Sequence, residues 1–214
     1  MSEEFIREVD EDLKEEKRLK LWRRLLPYIA SISIGIILTT TSFVMWDNYT
    51  KKVKRQLGDD FTAAVELAKD GDIDAALIAL DRIVDKGSDG YVTMSKMKKA
   101  SLLIDKGELE EGLDLYLDLE RNAIDQSFRD IATILYVLNS LDSRNPEILL
   151  EKLQPLENSI IWKSSALELK AFVYLKNNEI AKAMEVFESI INLPSKPSSL
   201  ARRAKNMIDF LGKK

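Results

Sequence analysis

The sequence predicts an all-α chain in which a single N-terminal transmembrane helix is followed by a helical-repeat solenoid of about four hairpins and a capping helix. Three observations predict it. Residues 25 to 46 carry no charge. Beyond residue 56 the apolar positions follow a helical period, three times in the same register. Only eight Gly and five Pro occur in 214 residues, so regular structure should be interrupted rarely. Hydrophobic residues make up 45% and charged residues 32%, with a net charge of −4. A disordered chain pairs low hydrophobicity with high net charge, so most of this one should fold.

Cys and His are both absent. That removes thiolate nucleophiles, imidazole acid/base chemistry, disulfides and nitrogen- or sulfur-ligated zinc together. It leaves the compartment open, because a chain without thiols suits a reducing and an oxidising environment equally.

Taken in order, residues 1–24 are a charged helical segment expected on the cytoplasmic side. Phe5, Val9, Leu13, Leu21 and Leu25 form an apolar stripe, and the charges are segregated, acid first and base afterwards. From Lys17 to Arg24 there are five basic residues and no acidic one. Residues 25–46, LLPYIASISIGIILTTTSFVMW, are 22 in number and should reach about 33 Å as a helix, enough to cross a hydrocarbon core of about 30 Å. Tyr28 and Trp46 lie near the two ends, where amphipathic rings favour the headgroup level, and Pro27 is expected in the first helical turn. Ser31, Gly35 and Thr39 recur every fourth residue, a small-residue face on which another helix could dock; the alternative is that the hydroxyls bond back to their own helix.

Seven Lys and Arg lie in residues 7–24 against four in residues 47–64, which orients the N-terminus to the cytoplasm and the C-terminal part outside. In a Gram-negative inner membrane, outside is the periplasm. Residues 47–57 read as a juxtamembrane linker and 58–214 as the repeat domain.

Within that domain three stretches share the pattern i, i+3, i+4, i+7, i+10: Ile73, Ala76, Leu77, Leu80, Ile83; then Leu109, Gly112, Leu113, Tyr116, Leu119; then Ile180, Ala183, Met184, Phe187, Ile190. The second position is always small (Ala76, Gly112, Ala183), as a close helix crossing requires. Each stretch follows a turn, KDGD, DKGE or KNNE, in which Gly71, Gly107 and Asn178 supply a left-handed helix C-cap. The starts are 36 and 71 residues apart, leaving room for one degenerate unit. SFRDIATILYVLNSLD reads as its first helix and PEILLEKLQPLE as its second, begun by Pro146 and ended by Pro155.

A period of 34 to 36 residues with paired helices and a Gly turn is the tetratricopeptide (TPR) pattern. On that register the small residue of the first helix falls on Ala64, Ala100 and Ala171, and the aromatic of the second on Leu80, Tyr116 and Phe187. The helix-ending Pro of the pattern appears only approximately, at Pro194, and its Trp and Gly in the first helix have no counterpart. Residues 199–211 read as a capping helix with a polar outer face, Arg202, Arg203 and Lys205. The acidic domain opposes a nucleic-acid reading of those cations.

Nucleotide-binding, zinc-protease, serine-hydrolase and EF-hand motifs are missing, and no carboxylate pair is marked out by spacing, so neither an enzyme nor a cofactor is expected. A TPR stack works by shape, accepting a peptide or partner helix on its concave side. The lining expected is Phe61, Val65, Met97, Ser101, Glu168 and Phe172, with Met94 beside Met97.

FIREVDEDL, KLWRR before the uncharged span, and GDDFTAAVELAKDGDIDAALIALDRIV followed by the TPR-like units together resemble the YfgM-like TPR family of bacterial inner-membrane proteins. The resemblance covers essentially the whole chain. It implies an ancillary subunit of the SecYEG translocon, with one span and a periplasmic TPR domain associated with membrane-anchored periplasmic chaperones such as the PpiD type. The expectation is therefore a membrane-tethered adaptor at the translocon exit. The alternative is a structural scaffold of a cell-envelope or division complex.

Overall fold

The computed structural model describes residues 2–86, 89–194 and 196–213, with the backbone alone at residues 2–16, Lys86 and Asp89. The chain divides into two compact units, one ending at Gln56 and the other beginning at Leu57. Among the described residues there is no strand.

The first unit belongs to a single helix, α1 (Ser2–Lys69), which continues into the second unit. It passes without a break through residues 47–57 and through Pro27. Pro27 is therefore interior, not in a first turn as its position at the edge of the uncharged run suggested. It has no N–H to offer the Arg23 carbonyl, and the helix tolerates that one missing bond. The stripe Phe5, Val9 and Leu13 lies outside the residues whose side chains are described. From Lys17 to Trp46 every side chain is exposed. Among the described residues this helix alone is long and apolar enough to cross a membrane, and none of its apolar window is buried. The hydroxyls of Ser31 and Thr39 donate to the carbonyls of Pro27 and Gly35, each at 2.7 Å, so their polar atoms are satisfied within the helix.

The second unit is built from antiparallel hairpins. The turn at Gly71 leads from the last turns of α1 into α2 (Ile73–Lys86), and α3 (Asp89–Lys106) packs on α4 (Leu109–Asn122), α5 (Gln126–Ser140) on α6 (Pro146–Leu153), and α7 (Lys163–Lys176) on α8 (Ile180–Ile191). Helix α9 (Ser198–Leu211) packs on α8 and α7 and closes the series.

Three of the four turns are one structure repeated. Gly71, Gly107 and Asn178 have φ of +87°, +95° and +59°. The next residue's N–H then reaches back five positions: Asp72 to the Leu67 carbonyl at 3.0 Å, Glu108 to Leu103 at 2.8 Å, Glu179 to Tyr174 at 2.8 Å. This is the Schellman closure, and it needs a residue that accepts a left-handed backbone. The α5–α6 turn has no such residue and is closed differently. The Ser143 and Arg144 N–H groups bond the Ser140 carbonyl, each at 3.0 Å, and Asn145 caps α6 by accepting from the Glu147 N–H at 2.8 Å. Pro146 takes the first position of α6, but the α-helix ends at Leu153, and Pro155 sits in a 3₁₀ turn, Gln154–Asn158. Without an N–H, Pro155 cannot bond the Glu151 carbonyl and continue the helix. Because α6 is only eight residues, α5 also touches α7 directly.

Small residues set how closely the helices approach. Ala64, Ala76, Ala100, Ala171 and Ala183 are completely buried. At Gly112 a Cβ would lie 2.7 Å from the Ala100 carbonyl oxygen and 2.5 Å from Ile104 Cγ1, so α4 crosses α3 with no room for one. The core forms two clusters: Leu113, Tyr116, Val137, Leu149 and Leu153 among those of the first, and Ala183, Phe187, Ile190 and Leu200 among those of the second.

Ion pairs join neighbouring units at their turns: Asp74 with Lys106, Glu110 with Arg144, and Asp142 with Lys176. Lys106 also contacts Glu108, and first Glu108, then Asp74, raise its pKa above the ordinary lysine value. Exposed pairs of this kind are screened by solvent and contribute little to stability. The pair Lys152–Glu120, at 2.6 Å, is more enclosed, and the Lys152 ammonium also lies 5.1 Å from the centre of the Tyr136 ring. Lys152→Met is expected to cost about 1–2 kcal/mol in urea unfolding, because Glu120 is left half-buried without its cation. Adding Glu120→Gln should recover most of that loss.

Candidate functional site

The second unit carries an open hollow of about 340 Å³ lined by Phe61, Met94, Met97, Lys98, Ser101, Tyr116 and Leu135. Helix α1 supplies Phe61, and α3 supplies Met94, Met97, Lys98 and Ser101 at helical spacing, which places them along one side. Tyr116 comes from α4 and Leu135 from α5, so three successive hairpins contribute. Phe61 is steadied by the Tyr91 ring, with centroids 6.5 Å apart. The two methionines give the lining a polarizable, adaptable surface.

Of the expected groove residues, Phe61, Met97 and Ser101 come together here. Val65, one turn beyond Phe61, is half-buried and does not line the hollow. Glu168 and Phe172 are placed elsewhere. Glu168 takes a two-pronged contact from Arg203 of α9, with Nε and Nη2 each donating at 2.7 Å. Phe172 stands edge-on to Phe187 with ring centroids 5.8 Å apart. Helix α9 takes up Glu168, whereas Phe172 is taken up by Phe187 of α8, its partner within the same hairpin. Lys98 and Leu135 were not expected in the lining. Lys98 follows Met94 by four residues and could have been found by extending that stripe; Leu135 depends on the stacking of the third hairpin and has no local signal.

Tyr116, expected as a packing residue, also forms part of the lining. It is 2% exposed, and burial, with a smaller contribution from the Asp105 charge, pushes its phenol up to about 12. A raised folded-state value means that the neutral phenol stabilises the fold below pH about 10 and that this contribution is lost as pH rises through about 12. Alkaline unfolding should therefore steepen between those limits by about 2–3 kcal/mol, and Tyr116→Phe should flatten that part of the profile.

Two other hollows each hold a lysine–carboxylate pair. One, of about 360 Å³, includes Lys96 and Asp118, bonded at 2.7 Å. Lys96, followed by Asn122, holds the Asp118 carboxyl below its usual range. The other, of about 410 Å³, includes Lys170 and Glu157 at 2.8 Å, and Lys182 over the Tyr174 ring at 5.4 Å. Among the described residues the carboxyls moved from their ordinary values, Asp118 and Glu179, both move down, the direction opposite to that of a general acid. Among the described residues no acidic cluster could hold a metal ion.

Paired helices in series, Schellman turns, buried small residues at the crossings and an open apolar hollow define a helical-repeat interaction module. The family model of the tetratricopeptide repeat-like domain matches residues 20–204, and the chain belongs to that family. No curated protein and no solved structure matches the chain.

Proposed function

We propose that this chain is a membrane-anchored adaptor whose repeat domain binds protein or peptide partners on the periplasmic side of the bacterial inner membrane. The observation that carries this reading is the pairing, in one chain, of a fully exposed apolar helix with a repeat domain that keeps an apolar hollow open. Burial would mark residues 25–46 as the core of a soluble protein; instead they lie bare, as lipid contact requires. The basic collar before the span supports a cytoplasmic N-terminus. A tether raises the effective concentration of the hollow near the membrane, so a weak site suffices.

The resemblance to the YfgM-like family supports a finer reading, an ancillary subunit of the SecYEG translocon working beside a membrane-anchored chaperone of the PpiD type. Site-specific photocrosslinking from Met94 and Met97 in intact cells tests it. Capture of many secretory precursors together with translocon subunits is the expected result. Capture of one fixed envelope or division protein would replace the adaptor with a scaffold.

A further inference from the structure

We infer that the hollow selects an internal acidic residue of its partner, an aspartate or glutamate flanked by aliphatic or aromatic side chains that fill the methionine-lined floor. The inference rests on the reading that this hollow is the binding site. Its motive is an unused cation. Four half-buried lysines are paired with carboxylates, Lys96 with Asp118, Lys99 with Asp81, Lys152 with Glu120, and Lys170 with Glu157, at 2.6 to 2.8 Å, and Lys196 donates to the Leu193 carbonyl at 2.8 Å. Lys98 is half-buried on the same helix as two of these, yet it has no hydrogen-bond or ion-pair partner among the described residues.

Lys98 is also the only charge in a lining that is otherwise Phe61, Met94, Met97, Ser101, Tyr116 and Leu135. The chain as a whole is acidic, with a net charge of −4, so a lone positive point inside an apolar hollow contrasts with its surroundings. A carboxylate arriving there finds a charge-assisted partner, while apolar neighbours exclude water and strengthen the contact. A purely apolar segment would leave the ammonium desolvated and unpaired, which costs more than a lost contact. A basic segment would be repelled. The carboxylate belongs to a side chain and not to a chain end. Capture of a terminus uses a nest of converging backbone donors, whereas the lining here offers one ammonium beside the neutral Ser101 and Tyr116 side chains and is open enough for a chain to pass through.

The test uses the full chain in detergent micelles. The probe is a pool of randomised nonapeptides with acetylated N-termini and amidated C-termini, and the readout is the composition of the peptides retained. The wild type should enrich aliphatic and aromatic residues, and Asp or Glu by at least about fivefold at one position beside them, an enrichment that shrinks with added salt. Lys98→Met should keep the apolar enrichment and lose the acidic one; Lys98→Glu should turn the preference to Lys and Arg. Met97→Asp, which spoils the floor, should abolish retention. If retention depends on Met97 but shows no acidic preference, the inference is overturned while the hollow remains the binding site. If retention does not depend on Met97, the hollow is not the site and both fall. A parallel pool with free C-termini should give the same acidic position. A preference satisfied only by the free terminus would overturn the choice of an internal residue.

Discussion

Phe187→Ala should destabilise the C-terminal part of the repeat domain by about 3–5 kcal/mol. Phe187 is completely buried, meets the Phe172 ring edge-on, and sits in the cluster that joins α7, α8 and α9. Truncation removes the transfer energy of the ring and leaves a cavity that α8 cannot close without breaking its contacts to α7 and α9. In a repeat stack, stability is nearly a sum of units and their neighbour interfaces, so the loss should appear first in the last hairpin and the capping helix. Urea unfolding followed by far-UV circular dichroism, with hydrogen exchange resolving the helices, measures it. A shift below about 1 kcal/mol would mean that Phe187 is not in the core described.

Gly112→Val should cost about 3 kcal/mol by the opposite mechanism, overpacking. The first added carbon already falls 2.7 Å from a backbone oxygen of α3, and backbone cannot rotate aside as a side chain can. The helices must separate, and that opens the interface holding Leu113 and Tyr116. Gly35→Ala is the matched control. Nothing lies within 4 Å of its added carbon, so replacing a mid-helix glycine there should be neutral or stabilising by up to about 1 kcal/mol. Equal losses at the two glycines would contradict the packing at the α3–α4 crossing.

The parts of the fold legible in the sequence were those set by local necessity. A Schellman turn needs a positive φ, so Gly71, Gly107 and Asn178 marked three hairpins before any packing was known. The α5–α6 turn uses capping by Asn145 and bonds to the Ser140 carbonyl, and its unit was recognisable only from the gap in the period. The path of α1 through Pro27 was hidden because one missing N–H is compatible both with a helix start and with an interior position. For the hollow, spacing along α3 was enough to put Met97 and Ser101 on one side of the helix. Glu168 meets Arg203 of α9 and Phe172 meets Phe187 of α8, contacts that spacing along one helix does not carry. The contribution of Leu135 from the third hairpin is a property of stacking, which no window of sequence contains.

The proposed adaptor role requires that residues 25–46 anchor the chain in a membrane with residue 214 outside the cytoplasm. The most direct measurement fuses alkaline phosphatase, which is active only outside the cytoplasm, or a fluorescent protein that matures only inside it, after residue 214, and follows the fusions through alkaline carbonate extraction. Active phosphatase, a dark fluorescent fusion, and both products retained in the membrane pellet are the expected result. A bright fluorescent fusion with inactive phosphatase, or release of the chain into the soluble fraction, would contradict it.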